Sequence, residues 1–150
     1  MDEILSLLKE FDIANLLPEL EVFSVQLEKF MRIIVLAGPL TILGLGLWYY
    51  LLPPREANHS AGFRTYFGMG SIAAWRYTQR IAGTGYTVAG FVLTVIMALI
   101  CNGYRGMDAM DMAVSAFVCV IVELVLILGV WAGIQVMVYR KFDKDGNIRK

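Results

Sequence analysis

"MAVSAFVCVIVELVLILGVWAGIQVMVY", residues 112–139, runs for 28 residues with a single charged side chain, Glu123. About 20 apolar residues wound as a helix cross a hydrocarbon core of about 30 Å, so this stretch is long enough to span a bilayer. Lipid offers the backbone no hydrogen-bond partner, which leaves a helix as the conformation that satisfies it. Two further runs have the same character, at Arg32–Leu52 and Thr84–Cys101. The whole chain is 58% hydrophobic with a mean hydropathy of +0.63, far from the composition of a soluble domain. The expected fold class is an all-α integral membrane protein with three transmembrane helices, an interfacial loop helix and an N-terminal amphipathic helical segment. The lipid bilayer is then its first partner.

The flanks of the runs carry the usual anchors. Trp48, Tyr49 and Tyr50 precede Pro53-Pro54 at the end of the first, and Trp131 and Tyr139 lie near the end of the third, where aromatic side chains favour the interface. Gly38-Pro39 predicts a kink in the first span. Basic residues set the orientation. The loop before the second span holds Arg55, Arg64, Arg76 and Arg80, and the tail holds Arg140, Lys141, Lys144, Arg149 and Lys150, against Lys29, Arg32 and Arg105 on the other side. The positive-inside rule places loop 54–83 and the C-terminus in the cytoplasm and the N-terminus outside, with the reverse orientation as the alternative.

Residues 1–30 read as a separate amphipathic segment ahead of a membrane domain at 31–142, with 143–150 as a polar tail. Ile4, Leu5, Leu8 and Phe11, then Leu20, Phe23, Leu27 and Phe30, recur at helical spacing, and Pro18 before Glu19 and Glu21 predicts the start of a second helix. Met1–Arg32 holds seven acids against three bases, so its polar face is anionic and unsuited to anionic lipid. Lying at the membrane interface, or packing on its own bundle, on another copy or on a docked partner, are the uses open to it. Acidic amphipathic sequence in place of a basic n-region predicts that no signal peptide is cleaved. "DKDGN" at 143–147 begins like a calcium loop, but no bidentate glutamate follows before Lys150; a solvated turn is expected.

Composition excludes several chemistries. Cys101 and Cys119 sit in apolar runs without metal-ligand spacing, and His59 stands alone, so no metal or other cofactor is expected. No nucleophile has a paired base and no phosphate-binding loop is present, which argues against an enzyme. Zero formal charge gives no basis for direct contact with nucleic acid.

The segment "AGFRTYFGMGSIAAWRYTQR", residues 61–80, holds three arginines, five aromatic residues and no carboxylate. Ser71 is a good N-cap, behind Gly68 and Gly70, for a short helix running to Ala82. Arg76 and Arg80 share a face of it, and Ile72, Trp75 and Tyr77 supply apolar contacts at membrane level. Arg76 and Arg80 are candidate functional residues of this loop on that chemistry.

With "GFRT" at 62–65, Ser71, Trp75 eleven residues after Arg64, Arg80 five further on and Gly83 opening an apolar span, the loop resembles the conserved loop of the SdpI family of bacterial membrane proteins. It departs at Tyr66, where the family often has proline. Gly62, Arg64, Thr65, Ser71, Trp75 and Gly83 join Arg76 and Arg80 as candidate functional residues, as what the resemblance implies. The resemblance implies a multi-pass protein of the bacterial cell membrane whose best-known relative confers immunity to a secreted peptide toxin. That relative also helps signal the toxin by holding a transcriptional repressor at the membrane. A peptide toxin and a cytoplasmic regulator are the partners so implied.

A second candidate is the stripe Asp111, Ser115, Cys119 and Glu123, spaced by fours and expected to face protein. Glu123 costs on the order of 3 kcal/mol at the centre of a span by insertion scales, so it reads as a relay or an arginine's mate, or as a neutral acid bonded to a neighbouring helix. Gly83, Thr87, Gly90, Thr94 and Ala98 form a small-residue face on the second span, and Gly129 with Gly133 a GxxxG on the third. Packing within the bundle is the expectation for both, with a homo-oligomer as the alternative. The leading functional expectation is non-catalytic immunity or sensing. The alternatives are a small proton- or solute-coupled transporter working through Glu123, and a membrane anchor docking a partner through residues 1–30.

Overall fold

In the computed structural model, residues 13–57 and 61–149 are described, with side chains from residue 22 onward. Ile4, Leu5, Leu8, Phe11 and His59 lie outside the described residues. The fold is all-helical: α1 (Ile13–Leu51), a 3-10 turn (Phe67–Met69), α2 (Ile72–Asn102) and α3 (Ala109–Lys141). Three helices are long and apolar enough to cross a membrane, over Val22–Leu51, Ile72–Asn102 and Ala109–Lys141. Phe91, Leu99, Phe117 and Val125 point outward, as lipid-facing side chains do.

Two boundaries differ from those expected. α1 passes through Pro18 and Gly38-Pro39 without interruption, so from Ile13 onward the chain is one helix with the first span and no second helix starts at Pro18. Pro18 forfeits one helical hydrogen bond, to the Ala14 carbonyl. Likewise the helix capped by Ser71 does not stop at Ala82; it runs through Gly83 and Gly85 into the second span as one element. A glycine inside a helix costs roughly 1 kcal/mol against alanine. Here the cost is offset by the close approach that a missing side chain permits.

That approach is the α1/α2 seam, the most extensive in the bundle. A Cβ on Gly83 would lie 2.7 Å from Tyr50 N, and one on Gly90 2.5 Å from Leu43 N. Gly46 answers from α1, lying directly against the backbone of Tyr86 and Thr87. The two backbones therefore meet in antiparallel register over several turns, as small-residue interfaces in membranes do. Further along, Val35 packs with Leu93 and Met97, and α3 adds Met112, Ala116 and Cys119 to the same core. α3 covers both helices with fewer contacts. Its GxxxG does not pack inside the bundle: no atom lies within 4 Å of a Cβ built on Gly129 or Gly133.

Candidate functional site: a basic cleft at the loop end

The loop between α1 and α2 is held by buried side chains bonded to backbone. Trp75, fully buried, donates its indole N–H to the Pro54 carbonyl at 2.8 Å. One turn on, the Gln79 amide accepts from Phe63 N at 2.9 Å and donates to Phe63 O at 2.7 Å, satisfying both backbone polar groups of a buried loop residue. Gly62 precedes it at φ +102°, a conformation that disfavours any Cβ, and one there would lie 2.8 Å from the Trp75 ring. Thr65 Oγ1 accepts from Gly68 N at 2.8 Å, while Thr78 Oγ1 returns a bond to the Ala74 carbonyl. Phe63 stacks edge-on between Tyr49 and Tyr86.

Ser71 caps α2 as expected, accepting from Ala74 N at 3.1 Å. Its hydroxyl also donates to the Gly146 carbonyl at 2.8 Å, 75 residues away. The tail is thus not merely a solvated turn. Asp143 Oδ1 accepts from Asp145 N and Asn147 N, closing the turn, and these bonds hold its carboxyl below the usual aspartate range. Gly146, at φ +76°, then lies against the backbone of Gly70 and Ser71. Arg149 completes the latch over the Tyr139 ring at 4.3 Å.

On this scaffold sits a cleft of about 500 Å³. Its floor is Tyr49 and Tyr50 at the end of α1 with Pro53 and Pro54 beyond, and its rim is Arg55, Arg76 and Arg80. Among the described residues, no acidic side chain lines it. All three arginines are exposed. Such a constellation recognises an anion: guanidinium forks match phosphate and carboxylate geometry, and the tyrosines offer an apolar surface for what is attached. A terminal peptide carboxylate and a phosphate both satisfy that description.

The expected loop residues therefore divide. Arg76 and Arg80 are brought together in the cleft. Gly62, Thr65, Ser71, Trp75 and Gly83 build the scaffold beneath it. Arg64 is exposed and does not line the cleft. Sequence reading missed Arg55, counted there only for orientation, and Gln79. Arg55 joins the rim next to Pro54, whose carbonyl takes the Trp75 indole bond. For Gln79 the available signal was a large amide four residues after Trp75 on the buried side of α2.

Glu123 belongs elsewhere. It is 3% exposed, with Oε2 lodged at Gly38, where a Cβ would lie 2.7 Å away. Among the described residues, Oε1 has no hydrogen-bond partner. Cys119 is buried beside it on the helix, Ser115 half-buried and Asp111 exposed, so the stripe enters the bundle from its far end. There the Tyr104 hydroxyl is directed at Ser115 and Cys119 without a well-aligned bond, and half-buried Arg32 pairs with Glu28. Gly38 and Tyr49 are about 16 Å apart along α1 at 1.5 Å per residue, which keeps Glu123 from mating with a loop arginine. Among the described residues no group of side chains is arranged to hold a metal ion.

The SdpI/YfhL protein family model matches residues 55–138, more than half of the chain. This chain belongs to the SdpI/YfhL protein family. The matched region opens at Arg55 and closes at Val138, so the SdpI/YfhL portion comprises the cleft's three arginines, all of α2 and nearly all of α3, with α1 outside it. Three apolar helices and this membership make the chain a multi-pass membrane protein of the SdpI type. Neither the curated proteins nor the solved structures include a match to it.

Proposed function

We propose that this SdpI-type protein protects against, or senses, a secreted membrane-active peptide, binding it without catalysis. The observation that carries the reading is the cleft of Arg55, Arg76 and Arg80 over Tyr49 and Tyr50, cationic, aromatic-floored and free of acids. An amphipathic peptide arriving through the bilayer presents a carboxylate beside apolar side chains, and that pairing suits the cleft. The basic loop and tail favour a cytoplasmic face for it in a bacterial cell membrane, within reach of a cytoplasmic regulator. The test is a protection assay in a toxin-sensitive bacterium challenged with secreted peptides, at matched membrane levels of each variant. Arg55→Ala and Arg76→Ala are expected to lose protection that the parent confers. A parent that protects against no peptide overturns the immunity reading, and protection undiminished in both variants removes the cleft from it.

A further inference from the structure

On the outer face of the bundle, α2 and α3 diverge around small residues. Gly85 and Ala89 on one side and Gly133 on the other leave a groove of about 470 Å³, walled at its ends by Val92 and Met137. Its lining is apolar, with Thr84 its one hydroxyl. At the loop end it opens without a break into a second hollow edged by Arg80 and Lys141, again with no acidic residue. Lys141 Nζ stands 3.8 Å over the Tyr77 ring, which fixes the cation at the mouth.

We propose that this groove is a binding site for an anionic phospholipid, its headgroup phosphate held by Arg80 and Lys141 and one acyl chain lying between α2 and α3. Dimensions and charge agree. From Ile81 to Val92 the groove runs about 16 Å at 1.5 Å per residue, close to the roughly 15 Å of one leaflet of hydrocarbon. Positive charge occurs only at the end where a headgroup would lie, and a basic pocket between helices there is suited to an anionic head. A second copy of the chain fits less well. A two-fold interface about an axis normal to the membrane would bring Arg80 and Lys141 of both copies to one level, juxtaposing like charges.

Native mass spectrometry of the detergent-purified protein, offered phosphatidylglycerol or phosphatidylcholine of the same chains, tests this. Neither variant used lines the basic cleft, so the outcome is independent of the proposed function. The parent is expected to retain phosphatidylglycerol preferentially, and Lys141→Gln to reduce that preference roughly five-fold. Gly133→Leu, whose Cβ has nothing within 4 Å, is expected to fill the groove and release either lipid without unfolding the helices. Equal retention of the two lipids by the parent overturns the proposal, as does retention unchanged in both variants. So do a parent dimer that Gly133→Leu dissociates, which would give the groove to a second copy, and binding of inorganic phosphate alone with the affinity of the lipid.

Discussion

The two ends of the bundle treat buried polar atoms in opposite ways. At the loop end Trp75, Gln79, Thr78 and Ser71 all hand their hydrogen bonds to named backbone groups. Among the described residues, the buried side-chain atoms left without a hydrogen bond are Glu123 Oε1, the Tyr104 hydroxyl and Arg32 Nε toward the other end, and Thr87 Oγ1 within the α1/α2 seam between them. A satisfied network rigidifies, and an orphaned buried group leaves a standing cost. The loop end is therefore a fixed platform on which exposed arginines can be aimed. The Glu123 end holds polarity that the monomer's own packing does not use.

The contrast can be broken, beginning with the seam beneath the platform. Gly90→Leu forces a side chain into the Leu43 backbone and is expected to cost about 3 kcal/mol or more, while Gly129→Leu, facing open space, stays within about 0.5 kcal/mol. Thermal unfolding in detergent compares them, and equal melting points would mean the two faces are not packed as described. Next comes Gln79→Ala. Stranding the Phe63 N–H and C=O together is expected to cost roughly 2–4 kcal/mol. Glu123→Gln is expected to change stability by less than about 1 kcal/mol, because no bonded partner is left behind. A loss from Glu123→Gln as large as that from Gln79→Ala would reveal a hidden partner and erase the difference between the ends. The smallest effect belongs to Asp143. Its folded-state carboxyl titrates below the unfolded value of about 3.9, so its contribution is present above that pH and disappears as pH falls through the lower folded value. The acid side of a melting-point profile should flatten slightly in Asp143→Ala; an unaltered profile would show that the tail turn is not tied to folding.

Most of the architecture was legible from pattern. Long apolar runs admit one backbone solution in lipid, and the N-cap of α2 and the small-residue face from Gly83 to Gly90 follow from local chemistry. Helix ends were less so. Glycine reads as a breaker at Gly83, yet the neighbour that makes it useful, Tyr50, lies far off in sequence. The cleft was half visible. Arg76 and Arg80 share a helix face, while Arg55 joins them across the loop, next to Pro54, whose carbonyl takes the Trp75 indole bond, a contact that no spacing encodes. Ser71 was read as a cap, but its second bond, to Gly146, depends on where the tail returns.

The backbone-to-backbone seam of α1 and α2 also bears on biogenesis. Its three glycine contacts need nothing from α3, so the first two helices carry what they require to pair as a hairpin while the rest of the chain is still being synthesised. α3 then joins a preformed partner, and Gly146, in the segment beyond α3, closes on Ser71 to lock that order.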